Sequence, residues 1–300
     1  AVPAFEDKIK NYCRVKNAVA VNSATSALHI ACLALDVGPG DIVWTSPVTF
    51  VASSNCALYC GATIDFVDID PCTYNISVNA LNSKLIEAEK NGVLPKVVIP
   101  VHLTGQSCEM AEIYALSKHY GFKIIEDASH AIGAKFLGEP IGNCAFSDIT
   151  VFSFHPVKII TTCEGGLATT NSNDLAQKLR LLRSHGITRD ENQMANIPHG
   201  PWYYEQTALG FNYRMTDLQA ALGISQLDRL DTYVSKRHEI AARYDSLLAD
   251  LPVKTPVQDE NYSALHLYVI RLKIDRIRRK HRDVFVALRE SGIAVNLHYI

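Results

Sequence analysis

A chain of 300 residues, 48% hydrophobic and 20% charged, can bury a full core in one large domain and still carry a smaller unit. Its formal net charge of −2, from 29 Lys and Arg against 31 Asp and Glu, removes the electrostatic case for nucleic acid or an anionic membrane surface as a partner. No run approaches the ~20 apolar residues of a membrane span, and the opening AVPAFEDKIK lacks the apolar stretch of a signal peptide.

The first β-branched run, 18–21, leads into Asn22-Ser23-Ala24-Thr25-Ser26-Ala27 and a helical pattern at 26–35. Small and hydroxylated residues at a helix start leave backbone N–H groups, the positive dipole end and hydroxyls aimed at one spot, which suits a phosphate; simple capping explains the same residues. Runs at 42–45, 63–67 and 96–102 follow, with helical patterns at 80–90 and 108–120. Val97-Val98-Ile99-Pro100-Val101 lacks polar alternation, as a central strand does. The run 123–126 ends on Asp127, in Glu126-Asp127-Ala128-Ser129-His130. Functional groups in open α/β sheets gather at strand carboxyl ends, where an Asp can pair with a cationic ring nitrogen, ligate a metal or cap a helix. The run 149–153 precedes Ser153-Phe154-His155-Pro156-Val157-Lys158, and Glu164-Gly165-Gly166 opens a further run at 166–170, followed by a helical pattern at 174–184. A lysine in an apolar, proline-containing loop is either a solvated charge or, if taken out of water, an amine nucleophile. The glycine pair permits close backbone packing or positive φ.

From 188 to 212 the periodicity fades into a long loop; a long helical pattern then covers 216–248. A run at 266–274, a basic helix at 278–291 and a run at 294–298 read as the start of a second, small α/β domain, and the cluster Arg276 to Arg282 as a solvated helix start. Alternating strands and helices predict an α/β fold with a mainly parallel central sheet covered by helices on both faces. The eight cysteines fall between Cys13 and Cys163 with no CxxC pair, as in a cytoplasmic protein with reduced thiols. Cys56 and Cys60 have the spacing of one helix face, which packing explains better than metal ligation, and no metal is expected.

Phosphate-type helix start, strand-end Asp and loop Lys occur in the order found in fold-type-I pyridoxal-phosphate enzymes. Over its whole length the chain resembles the nucleotide-sugar aminotransferases of the DegT/StrS family, through NSATSALHIACLAL, SPVTFVASSN, VVIPVHLTGQ, IIEDASHAIGA, SFHPVKIITTCEGG and GFNYRMTDLQAALGISQLDRLD. The resemblance implies a fold-type-I transferase, with a cofactor-binding large domain at 1–227 and a bridging helix and partial small C-terminal domain at 228–300. It implies pyridoxal 5′-phosphate, with pyridoxamine 5′-phosphate between half-reactions. Lys158 would be the Schiff-base lysine and proton carrier, and Asp127 the partner of the pyridine nitrogen. Thr25, Ser26 and Ser153 would hold the phosphate, Phe50 would stack on the ring, His130 would lie beside it, and Asn212 would reach the phosphate from the second subunit of a homodimer with shared sites. The stretches are most similar to the branch serving pseudaminic acid synthesis, whose acceptor is a UDP-linked 4-keto-6-deoxy-N-acetylhexosamine and whose amino-acid donor is expected to be glutamate. His102, at a strand end, could face the sugar or be a satisfied core histidine; His298 and Tyr299 could join the sugar site. Family members have a segment ahead of Ala1 and continue past Ile300, so the chain reads as a fragment.

Three other readings compete. Sugar dehydratases of this family carry histidine in place of the lysine, and Lys158 argues against them. A dinucleotide-binding dehydrogenase lacks its GxGxxG after a strand. A non-catalytic cofactor- or sugar-binding regulator is separable by whether glutamate bleaches the cofactor absorbance, and dTDP- or GDP-linked keto-sugars aminated at C3 or C4 are the alternative acceptors.

Overall fold

The computed structural model describes residues 1–258 and 261–299. Seven short strands form the central sheet: β1 (Asn17–Val21), β2 (Ile42–Thr45), β3 (Thr63–Phe66), β4 (Val97–Ile99), β5 (Lys123–Asp127), β6 (Ile149–Ser153) and β7 (Gly166–Thr170). They stand in the order β1-β7-β6-β5-β4-β2-β3. All neighbours are parallel except β7, which runs antiparallel to both β1 and β6. Apart from the edge strand β3, which is largely exposed, the sheet is buried on both sides because its side chains alternate between two apolar layers. Trp44, Val98, Ile124 and Phe152 enter one cluster; Val43, Val97, Ile99, Ile125 and Val151 enter the other.

On the first face lie α1 (Val2–Cys13), α4 (Val78–Asn91) and α5 (Met110–Tyr120), with α7 (Asp217–Leu227) and the start of α8 (Leu230–Leu248) against α1 and the loop after β5. The second face carries α2 (Ala24–Ala34), α3 (Ala52–Tyr59) and α6 (Asn173–Leu182). A last helix, α9 (His281–Glu290), follows in the C-terminal part and has no buried residue. The basic residues 276, 278–280 and 282 around its start are exposed.

Four expectations are corrected. The run 96–102 holds the ladder only over Val97–Ile99, because Pro100 has no N–H to give it; Val101 returns only as a single bridge to Asp127. The pattern 216–248 is two helices. Thr216 caps the first with a full capping box, and the break at 228–229 lets Leu227 and Leu230 both turn into the core, while Lys8 bonds the Ile224 carbonyl and the Asp228 carboxylate. The run 266–274 pairs only at Arg271–Leu272, with Val253–Lys254. Residues 294–298 form no strand. Two helices without an expected counterpart, α1 and α3, complete the layers; Cys56 lies on α3 and Cys60 is its C-cap residue, the Cys60 thiol donating to the Cys56 carbonyl at 3.3 Å.

Candidate active site

The carboxyl edge of the parallel strands brings the sequence motifs together. At its centre β5 ends on Asp127, a residue only 4% exposed. One oxygen, Oδ2, accepts from the Ser53 hydroxyl of α3 at 2.7 Å. The other, Oδ1, accepts from the Ser129 hydroxyl at 2.6 Å and its backbone N–H at 3.1 Å. Three donors fix the carboxylate's direction and satisfy a charge that burial would otherwise penalise. Asp127 faces Val151 across the β5–β6 ladder, so the loop leaving β6 starts beside it. That loop turns back at once: the Lys158 N–H bonds the His155 carbonyl at 2.9 Å, leaving the Lys158 side chain half-buried. Its amine has no hydrogen-bond or ion-pair partner among the described residues. Burial pulls the Lys158 amine down to about 8, with the Asp127 carboxylate opposing the shift. A neutral amine is therefore accessible near neutral pH.

A second corner forms where β6 ends, β7 begins and α2 starts. Ser153 and Gly166 are cross-strand partners, and Gly166 lies directly on the first turn of α2. A Cβ there would stand 2.3 Å from the Ser23 carbonyl carbon and 2.4 Å from the Ala24 nitrogen. Gly165 is equally tight, its Cβ position 2.1 Å from the Thr162 hydroxyl. Close backbone approach, not positive φ, is therefore what the glycine pair provides. Ser23 caps α2 through a bond from the Ser26 N–H at 3.1 Å, and the Ser26 hydroxyl donates to Asn22 Oδ1 at 2.6 Å. Capping and anion binding use the same geometry here: the cap fixes the helix end, and the other first-turn N–H groups have no intrahelical acceptor. Asn212 runs alongside within the same chain, its carbonyl accepting from Asn22 Nδ2 at 3.5 Å, and its side chain is exposed.

The remaining residues divide. Phe50 is 58% exposed and three residues before Ser53, on the loop entering α3. His130 is buried and its Nδ1 accepts from the Thr104 N–H at 3.3 Å. Burial, then Lys158, His266 and His298, hold its ring well below the ordinary histidine range, so it is an uncharged imidazole. His298 and Tyr299 reach the same region: burial and Lys158 lower His298, while burial and Asp127 push the Tyr299 hydroxyl up to about 12. His102 does not join them. It is fully buried, with Nε2 on Glu126 Oε2 at 2.7 Å and Nδ1 accepting from the Cys108 N–H at 3.1 Å. Both nitrogens are satisfied, so the sugar-facing alternative is corrected to the core one. Burial alone would raise Glu126, but His102, Ser147 and Thr150 hold its carboxyl below the usual range.

Two residues at this edge escaped sequence reasoning. Ser53 gave only the weak signal of a small polar residue in a helix following the Phe50 loop. His266 gave none, and its ring lies 4.5 Å from that of His130. Among the described residues no group of three or more His, Cys, Asp or Glu could hold a metal ion, and no helix is long and apolar enough to cross a membrane.

The model of the DegT/DnrJ/EryC1/StrS aminotransferase family matches residues 1–300. The chain is 40% identical over 300 residues to the UDP-4-amino-4,6-dideoxy-N-acetyl-beta-L-altrosamine transaminase of Campylobacter jejuni, covering 99% of this chain and 75% of that protein. Helicobacter pylori PseC, an aminotransferase involved in the biosynthesis of pseudoaminic acid, superimposes with a TM-score of 0.86 at 32% identity, over 100% of this chain and 76% of that one. The PLP-form of the putative sugar aminotransferase Spr1654 of Streptococcus pneumoniae gives a TM-score of 0.84 at 30% identity, over 99% and 77% of the two chains. This chain belongs to the DegT/DnrJ/EryC1/StrS aminotransferase family.

Proposed function

We propose that the chain is a pyridoxal-phosphate-dependent aminotransferase that moves an amino group from glutamate to a UDP-linked 4-keto-6-deoxy-N-acetylhexosamine in pseudaminic acid or related surface-glycan synthesis. One observation carries the reading: a half-buried lysine amine drawn down to about 8 stands beside a buried carboxylate fixed by three donors, at the carboxyl edge of the sheet. The acceptor follows from similarity to the Campylobacter jejuni transaminase and PseC.

The residues fit the cofactor at both ends. The unpartnered Lys158 amine suits its aldehyde, the oriented Asp127 carboxylate suits a protonated pyridine nitrogen, and the capped α2 start with Thr25, Ser26 and Ser153 suits its phosphate. Bound pyridoxal phosphate supplies an electron-withdrawing ring that carries the amino group between donor and acceptor. Lys158 acts first as nucleophile, because burial leaves part of its Nζ unprotonated at neutral pH, and then moves a proton at that same atom. Asp127 keeps the ring-nitrogen proton in place through the direction that Ser53 and Ser129 impose on its oxygens. Phe50 would stack on the cofactor ring, and His130, uncharged, would lie beside it without competing for its proton. His298 and Tyr299 face the sugar.

In this reading residues 1–227 are the cofactor-binding domain and 228–300 begin a small one. The active unit is a homodimer in the cytoplasm, with Asn212 of each copy reaching the phosphate of the other. The apolar side chains of Leu58, Tyr59, Trp202, Leu209 and Leu218, each more than half exposed, suit burial against a second copy. A panel of nucleotide keto-sugars offered with glutamate, with the amino-sugar product identified, tests the acceptor. Faster amination of a dTDP-3-keto-sugar than of the UDP-4-keto-sugar would overturn the acceptor while keeping the chemistry.

A further inference from the structure

His266 is 8% exposed, yet neither of its ring nitrogens has a hydrogen-bond partner among the described residues, and Nδ1 is sealed from solvent. Every other buried histidine has at least one bonded ring nitrogen: His29 to Tyr213, His102 to Glu126 and Cys108, His130 to Thr104. A buried imidazole without partners is costly and calls for an explanation.

The position of His266 is rigidly set. Gly105, at φ +103°, brings its backbone so close that a Cβ would stand 3.0 Å from the His266 nitrogen. The segment is pinned by Ala264 N–H to Gly105 O at 3.0 Å and Leu267 N–H to Thr104 O at 3.2 Å. Arg237 donates to the carbonyls of Leu265 and His266 at 3.0 and 3.1 Å. On one side the ring packs against His130. On the other it walls a cavity of about 530 Å³ that also touches Ile159, next to Lys158, and Tyr233, Tyr244 and Tyr268. That volume is within the range of small-molecule sites.

The charged groups around the ring and its cavity are cations, Lys158, Lys236 and Arg237, with His298 beside them. Burial, followed by Lys158, Arg237 and His298, drives the imidazole down to about 3. A ring that stays uncharged does not recruit phosphate or carboxylate; it suits a neutral partner that both donates and accepts, as a hydroxyl does. With Nδ1 sealed, only Nε2 is open to such a partner.

Resting on the aminotransferase reading, we propose that His266 is a specificity-determining residue whose Nε2 hydrogen-bonds a hydroxyl of the acceptor sugar, so that it serves the sugar half-reaction and not the amino-donor one. The test compares parent, His266→Phe and His266→Gln. Phenylalanine keeps the packing on His130 and removes the nitrogen; glutamine restores a polar group near the Nε2 position. His266→Phe is expected to raise KM for the keto-sugar nucleotide roughly fivefold to tenfold, the worth of one neutral hydrogen bond, with the glutamate half-reaction, followed by cofactor absorbance, changed far less. His266→Gln should recover most of the loss. Calorimetric binding of the amino-sugar nucleotide to the cofactor-free protein should weaken in parallel, a readout independent of turnover. Equal loss in both half-reactions, or unchanged sugar KM and unchanged calorimetric affinity in His266→Phe, overturns the assignment. A parent protein that exchanges no amino group with glutamate overturns the aminotransferase reading instead.

Discussion

Replacing Gly166 by alanine should damage the cofactor corner and the fold together. The new Cβ would meet the Ser23 carbonyl carbon at 2.3 Å and the Ala24 nitrogen at 2.4 Å, whereas unstrained carbon contacts begin near ~3.5 Å. Both neighbours are backbone, so no side chain can swing aside; β7 and the first turn of α2 must part by about 1 Å. Overpacking of this kind costs ~1–3 kcal/mol, and disturbing the Ser23 cap adds about 1 kcal/mol, so the expected loss is ~2–4 kcal/mol. The helix start would also no longer present its N–H groups in line with Ser153, so cofactor affinity should fall by roughly ten- to a hundredfold, the equivalent of one hydrogen bond to a charged group. Urea unfolding with and without pyridoxal phosphate, beside a fluorescence titration of the cofactor, measures both terms. Gly38→Ala is the control, since its Cβ position has nothing within 4 Å and the change should stay within about 1 kcal/mol of the parent. A Gly166→Ala protein with the parent's midpoint and cofactor affinity would refute the close-packing argument.

The rate at which cofactor-free protein captures pyridoxal phosphate should rise with pH through about 8, where the Lys158 amine loses its proton; a profile rising only near the ordinary lysine range of ~10.4 would contradict the burial of that amine. Because that pKa is lowered in the fold, the unfolded chain binds more protons above it, so cofactor-free stability should increase from pH 8 upward, and Lys158→Met should stabilise the cofactor-free protein at neutral pH by ~1–3 kcal/mol. Glu126→Ala leaves His102, Ser147 and Thr150 without their acceptor and should cost ~3–5 kcal/mol in denaturant unfolding. The Glu126 carboxyl is lowered in the fold, so its contribution is full above the unfolded value near ~4.3 and fades as acid protonates it; acid titration of parent and variant should therefore converge at low pH. Mixing Lys158→Ala with Asn212→Ala protomers should restore part of the activity, since one hybrid site is intact; full activity from a monomer, measured by light scattering, would exclude the shared site.

Much of this was legible because the sheet is buried on both faces. Strands such as Ile149–Ser153 are buried throughout, and Asp127, the last residue of one strand, and Lys158, in the loop after another, inherit the carboxyl edge. The first helix was not expected: Phe5, Ile9 and Cys13 recur at one-turn spacings and are all buried, but the pattern is short and mixed with charges. Contacts made only by folding were not readable. Ser53 reaches Asp127 across 74 residues, and His266 reaches His130 through a backbone approach that depends on Gly105. For His102 the sequence left sugar contact and a satisfied core position both open, and the fold decides for the core, because Glu126 and the Cys108 N–H take both of its nitrogens. The short pairings after residue 250 carry too few residues for periodicity to separate strand from loop.

The central claim is that Lys158 is the amine that holds the cofactor. Incubating the protein with pyridoxal phosphate, reducing with borohydride and mapping the proteolytic peptides by mass spectrometry reads this directly, because reduction locks the cofactor onto whichever amine carried it. The expected result is one stoichiometric adduct on the peptide containing Phe154-His155-Pro156-Val157-Lys158, lost in Lys158→Ala. A stoichiometric adduct on any other lysine would contradict the account.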